Sequence, residues 1–329
     1  MIHHLASVFM KHRAGVALLC LILFGSGCLQ ASTKEAVKEV EDEVQQDPCN
    51  GLIELCQRSF SDVTFPETHN GFATHEDGIY YPASNHETGL QAQWDAGIRA
   101  FMVDAHYRTS ISSEASDVRF CHGDPERGAS PCHYGEVNAV AWMSHLRSLM
   151  ASKERDVVTL LFESTVSAEH IEYLLILSDL YDWIYQHDLG EQWPTLAELI
   201  DDDTRLMAFW EQAQDDAYPW LHDFLLFSWT TDYSESEPEE MNCDVHRGDG
   251  EQPVWHLNNW LKNSAGFSDP QRAGEVNDYD FLLNRGLDCW EIHGKRPTFI
   301  AVDWWEEGDV IAVARTLNQM NDWNDTVPS

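Results

Sequence analysis

The chain has 329 residues, 43% of them hydrophobic, and sets 20 Lys plus Arg against 56 Asp plus Glu for a formal net charge of −36. A charge of that sign and size excludes nucleic acid as a partner and disfavours an anionic bilayer, since long-range repulsion opposes both. The acids are spread along the chain, which reads as a solvated acidic surface suited to salty surroundings.

In chain order, Lys11, His12 and Arg13 precede an apolar run from Ala14 to Gly27, too short for a membrane span and followed by small residues. This predicts an export signal over 1–27. Positions 28–48 read as an acidic tether, because Ala31 to Gln46 carries many charges and few large apolar groups. Residues 49–329 are long enough for one large core and match the usual size of a single α/β barrel. With Cys20 inside the leader and Cys28 at its end, six of the eight cysteines remain, an even number that predicts three bridges in an exported chain. Nearness suggests Cys49 with Cys56 and Cys121 with Cys132, leaving Cys243 with Cys289. No C-x-x-C pair occurs, which weighs against zinc.

The string Gly25-Ser26-Gly27-Cys28 resembles the lipobox of bacterial lipoproteins, with Gly25 where that motif usually has leucine. The resemblance implies a lipidated Cys28 and peripheral membrane contact. The protein is then exported, either as a cell-envelope lipoprotein or, if simply cleaved, as a secreted monomer.

Short β-branched or aromatic runs that end in polar residues predict strands at Val63 to Phe65, Arg99 to Ala105, Val157 to Phe162, Arg205 to Trp210, Phe224 to Trp229 and Thr298 to Val302. Helical spacing of Val137, Val140, Ala141, Leu146 and Leu149 predicts a helix between the second and third strands. Further helices are expected at Ala168 to His187, Val254 to Asn263 and Val310 to Asn321. The alternation of strands and helices gives a TIM-like (β/α) barrel, with two further strands expected within 190–204 and 240–295. Of thirteen tryptophans, Trp304 and Trp305 are the best placed for a ligand because they follow a strand end.

Polar residues gather at the predicted strand ends. Thr68, His69 and Asn70 close the first; Met102, Asp104 and His106 share one face of the second; His122 follows in FCHGD; Glu163 ends the third and Asp303 the last. In a barrel such positions converge on one site. A histidine pair suits phosphodiester cleavage, one imidazole taking a proton from the attacking hydroxyl and the other giving one to the leaving oxygen. Carboxylates and an asparagine nearby offer hard oxygen ligands for calcium.

The ordered set CNGLIELC, THN, GIRAFMVD, CHG and VVTLLFE, continued by WPTLAELI, WHLNNWL and TFIAVDWWEEGDV, resembles the X-region of phosphatidylinositol-specific phospholipases C and their secreted relatives over nearly all of the mature chain. The resemblance implies attack of an inositol 2-hydroxyl on phosphorus, release of diacylglycerol and formation of a cyclic inositol phosphate. By position, His69 matches the general base, His122 the general acid and Asp303 the carboxylate that orients the base. Asn70, Asp104 and Glu163 match three ligands of a weakly bound calcium ion. The chain also departs from the pattern. Met102 stands where eukaryotic members carry a further carboxylate, and Asp104 stands where metal-free bacterial members use an arginine, a role then open to Arg99 or another base. Glu67 and Gly71 replace the glycine and serine that flank THN. The substrate is a phospholipid or inositol phosphodiester, with a different head-group ester, or a binding lipoprotein without turnover, as alternatives.

Overall fold

The computed structural model describes residues 47–109, 112–122 and 132–328. The predicted leader, Cys28 and nearly all of the tether lie outside the described residues.

Eight parallel strands form one curled sheet: β1 (Phe65–Thr68), β2 (Ala100–Tyr107), β5 (Val158–Ser164), β6 (Leu206–Trp210), β7 (His222–Asp223), β8 (Ser228–Thr230), β9 (Val254–Asn259) and β10 (Phe299–Val302). Their order is β7-β6-β5-β2-β1-β10-β9-β8, and a short antiparallel pair, β3 (Val118–Phe120) and β4 (Val137–Asn138), attaches to β2. Among the described residues no ladder joins β7 to β8. A helical turn, α5 (Phe224–Phe227), spans that seam instead. Outer helices are α1 (Leu90–Ala96), α2 (Ala139–Ser152), α3 (Ala168–Leu177), α4 (Leu196–Asp201), α6 (Ala273–Val276), α7 (Tyr279–His293) and α8 (Val310–Gln319). None of these is long and apolar enough to cross a membrane.

Side-chain alternation along each strand divides the core in two. Phe65, Ala100, Met102, Leu161, Met207, Phe209, Val254, Phe299 and Ala301 meet inside the barrel. Phe101, Val103, Leu160, Phe162, Trp255, Leu257, Ile300 and Val302 face outward onto the helices. The inward row turns polar toward the strands' C-terminal ends, running Phe65, Glu67, His69 on one strand and Ala100, Met102, Asp104 on another. That gradient creates a site above a packed floor.

Several expectations are corrected. Val254 to Asn263 is not a helix: its first six residues are β9, every one buried. Val254, Leu257 and Leu261 fall at helical spacing, while the inward His256 and Asn258 hide the alternation that marks a strand. Phe224 to Trp229 begins as the turn α5 because Asp223 accepts from the Leu225 and Leu226 amides, an N-cap that outweighs the run's β-propensity. Segment 190–204 holds α4, opened by a capping box between Thr195 and Glu198, so the strand expected there is β7 at 222–223. The predicted helix from Ala168 stops at Leu177, before Asp179 reverses the chain at φ 57°. Three disulfides, Cys49–Cys56, Cys121–Cys132 and Cys243–Cys289, pair as sequence nearness suggests.

His222 shows how the interior handles titratable groups. It is fully buried, its Nδ1–H donates to the Ala208 carbonyl at 2.9 Å, and its Nε2 accepts from the His187 amide at 2.9 Å. Burial, with the nearby His187 adding to it, pulls its pKa down to about 4. The unfolded chain takes up this proton near pH 6.5 and the folded one near 4, so the stabilisation is complete above about 6.5 and is lost as pH falls toward 4. It amounts to roughly 3 kcal/mol. An NMR titration should place the His222 midpoint near 4, and His222→Gln should flatten the fall in unfolding free energy between pH 6.5 and 4.5.

Candidate active site

β1 and β10 lie in register, Thr68 beside Val302, so the residues that follow them emerge side by side. His69 Nδ1 sits 2.9 Å from Asp303 Oδ1. Asp303 is 2% exposed. Burial alone would raise its pKa, but the charge of His69 and their hydrogen bond hold it below the usual carboxylate range. In return, burial depresses His69 while Asp303 more than offsets it, leaving the imidazole above its ordinary value. With Nδ1–H donated to Asp303, Nε2 carries the lone pair and points to Asn70 Nδ2 at 3.2 Å. The indole of Trp260 stacks on the ring, centroids 4.2 Å apart and planes within 3°.

Backbone strain concentrates here. Asn70 adopts φ 51°, a left-handed conformation that asparagine tolerates better than most residues. Trp304 adopts φ 51° as well, at greater steric cost, and is held by its amide on the Asn85 carbonyl at 2.7 Å and its indole N–H on Ser268 Oγ at 2.8 Å. A Cβ on Gly71 would lie 2.6 Å from Thr68 Oγ1, so any side chain there would have to displace the buried Thr68 hydroxyl.

His122 lies on the other side of the same cavity, beside the Cys121–Cys132 bridge, with Nδ1 3.3 Å from the Ala83 carbonyl. Burial, then the neighbouring His69, lowers its pKa. The cavity, about 180 Å³, is also lined by Asn70, Met102, Glu163, Arg247, Trp260 and Lys262.

Asp104 and Glu163 stand side by side in register in the C-terminal halves of adjacent strands and are hydrogen-bonded to each other. Burial raises Asp104 to about 7, and burial plus the charge of Asp104 lifts Glu163 well above its ordinary value. Glu211, after β6, adds to both and is itself paired with Arg247. Among the described residues no three His, Cys, Asp or Glu stand together as a metal site. The predicted oxygen set nevertheless fits a hard cation: Asn70 Oδ1 and Asp104 Oδ1 are buried acceptors without a partner, and two carboxylates face each other.

The structure brings His69, Asn70, His122, Glu163 and Asp303 to one cavity. Asp104 lies just beneath, against Glu163. Arg99 has no part in the site: it lies at the opposite end of β2, paired with Asp156 at 2.8 Å and stacked over Trp94. His106 Nδ1 lies 3.1 Å from Thr165 Oγ1. Trp304 and Trp305 do not line the cavity, and the tryptophan that does is Trp260. Arg247, Lys262, Glu211 and Asn85 were not foreseen. Reading WHLNNW as a strand would have placed Asn258 and Trp260 at the rim.

Comparison with known proteins agrees with this architecture. The fold is shared with solved mutants of phosphatidylinositol-specific phospholipase C from Staphylococcus aureus, one at TM-score 0.52 and 12% identity over 82% of this chain and 95% of that one. Another gives TM-score 0.53 at 11% identity, covering 82% and 96%. The family model described as PI-PLC X 1 matches residues 55–318, and the chain belongs to that family. Two Arthroderma benhamiae proteins are similar in sequence. "PI-PLC X domain-containing protein 1" is 25% identical over 82% of this chain and 89% of its own length. "Uncharacterized secreted protein" is 24% identical over 83% of this chain, and the chain spans only 64% of that relative.

Arg247→Ala should leave Glu211 unpaired beside Asp104 and Glu163 and lower the unfolding free energy by about 1–3 kcal/mol, read by denaturant titration. Adding Glu211→Gln should recover most of that loss.

Proposed function

We propose that the chain cleaves phosphodiesters by intramolecular hydroxyl attack, acting on phosphatidylinositol or a closely similar inositol phosphodiester. The observation that carries this reading is the enclosure, in one cavity, of a carboxylate-oriented imidazole and a second imidazole of lowered pKa. His69 Nε2 accepts the proton of the attacking hydroxyl, while Asp303 stabilises the imidazolium that forms. His122, its Nδ1–H fixed on the Ala83 carbonyl, uses Nε2 toward the leaving oxygen. Burial keeps His122 neutral in the free protein, and the negative phosphodiester supplies the charge that restores its proton. The cavity suits a head group and its phosphate, leaving acyl chains outside. Arg247 and Lys262 place positive charge on its wall in a chain that is otherwise strongly acidic.

Calcium belongs to this reading: Asn70, Asp104 and Glu163 would hold it. Bound there, it would offset charge on the phosphoryl oxygens. Two anionic side chains give a weak site, with dissociation constants of about 10⁻⁴ to 10⁻³ M in the absence of substrate. Export is supported by the three disulfides and by the secreted relative, and lipid attachment at Cys28 is part of the same proposal.

With a chromogenic inositol phosphodiester, His69→Ala and His122→Ala should each lower kcat about 10² to 10⁴-fold, and the double variant should be little worse than either. Retention of most activity in either single variant overturns the assignment. Wild-type turnover should rise with millimolar calcium and fall in chelator, and Asp104→Asn should blunt that response with little change in melting temperature. Full turnover in excess chelator removes calcium from the scheme.

A further inference from the structure

The loop between β1 and α1 contains one short segment, Ala83-Ser84-Asn85-His86, that reaches all three proton-handling residues. The Ala83 carbonyl accepts from His122 Nδ1 at 3.3 Å. Asn85 Nδ2 donates to Asp303 Oδ1 at 2.7 Å and lies 3.4 Å from His69 Nδ1. His86 Nε2 donates to the His69 carbonyl at 2.9 Å. Asn85 is 1% exposed and its Oδ1 has no partner, so within the protein the amide serves as a donor to Asp303. The reversed amide would set an oxygen against the carboxylate and lose that bond.

The segment is itself fastened. Asn85 and His86 amides both donate to the Ala73 carbonyl, and the His75 amide donates to that of His86. Buried Ser84 Oγ lies 3.0 Å from His75 Nε2, whose Nδ1 is 2.7 Å from Glu87 Oε2. This Ser–His–Glu relay has the hydrogen-bond order of an activated serine, but Ser84 is 1% exposed and does not line the cavity. It acts as a staple that leaves its flanking residues facing the site.

We propose that residues 83–86 form a single positioning element, with Asn85 as its principal contact, that orients base and acid together by fixing Asp303, the His69 backbone and the His122 tautomer. The proposal rests on the reading of His69 and His122 as the proton-transfer pair. Asn85 acts through Asp303: its N–H supports the oxygen that receives His69 Nδ1–H and so keeps that carboxylate from rotating away. Residues that orient a site through another residue cost about 10 to 100-fold in activity when removed.

The test has one readout with substrate and one without. In proton NMR, the downfield Nδ1–H resonance of His69 should be present in the wild type and should move or broaden away in Asn85→Ala. With the inositol phosphodiester, Asn85→Ala should lower kcat about 10 to 100-fold and leave KM within about twofold. In an Asp303→Asn background its further effect should shrink to less than about twofold, since two residues acting through one bond are not additive. Ser84→Ala, which cuts the staple and leaves Asn85 in place, should give the same changes in smaller measure and serves if Asn85→Ala does not fold. An unmoved His69 resonance, an unchanged kcat, or a raised KM at constant kcat overturns the proposal. If the wild type turns over no diester, the resonance still decides whether Asn85 positions His69, and the loss falls on the phosphodiesterase reading alone.

Discussion

A carboxylate that keeps its charge while almost fully out of water is the condition on which the site depends. Burying Asp303 without a partner would push it toward the neutral acid, and a neutral acid could not hold His69 in the tautomer that leaves Nε2 free. The cost of burial is offset by two donors, His69 Nδ1–H and Asn85 Nδ2–H, on the same oxygen. Both depend on register, because His69 and Asp303 follow the ends of neighbouring parallel strands paired over four residues. Strand pairing at the centre of the sheet thus fixes the geometry between His69 and Asp303. The open seam between β7 and β8 lies at the far edges of the same sheet, where a missing ladder does not disturb that pair.

The second electrostatic arrangement runs the other way. Asp104, Glu163 and Glu211 lie in or directly after three neighbouring parallel strands. The charge of Glu211 makes both Asp104 and Glu163 harder to ionise and that of Asp104 adds to the rise at Glu163, while the hydrogen bond from Glu163 partly offsets the effect of burial on Asp104. Arg247 neutralises one of them. The result is a cavity with an ionised side at Asp303 and a side that favours protons at Asp104 and Glu163. One set of parallel strands therefore supports two opposite proton affinities, set by which partners lie within reach.

Most of the site was legible in the sequence because the residues that carry it follow long, plainly apolar strands. GIRAFMVDAHY and VVTLLFES read as strands whatever their surroundings, so Asp104 and Glu163 fell in the C-terminal halves of strands without further information. His69 and Asp303 needed only the rule that barrel strands converge at their C-terminal ends. What stayed hidden lay where interior polarity masks periodicity. β9 carries His256 and Asn258 on its inward face, so its pattern mimicked a helix and Trp260 escaped notice. Arg247 and Asn85 belong to long connections, and nothing in a linear sequence states which loop folds back over the mouth. The Arg99 error has a simple source: a residue one position before a strand lies at the wrong end of a barrel to reach the site.

The cations on the cavity wall bear on how fast a substrate can arrive. Arg247 and Lys262 attract an anion only at short range, whereas the surrounding charge of −36 repels it out to about a Debye length, a distance that grows as the buffer is diluted. Any anion therefore climbs a repulsive potential before it meets a favourable one. Salt flattens the outer barrier more than the inner well, because the well lies inside a low-dielectric cavity. Encounter is consequently faster in brine than in fresh water, the reverse of the usual electrostatic steering, and it is the solvent's ionic strength that opens the approach to the barrel mouth.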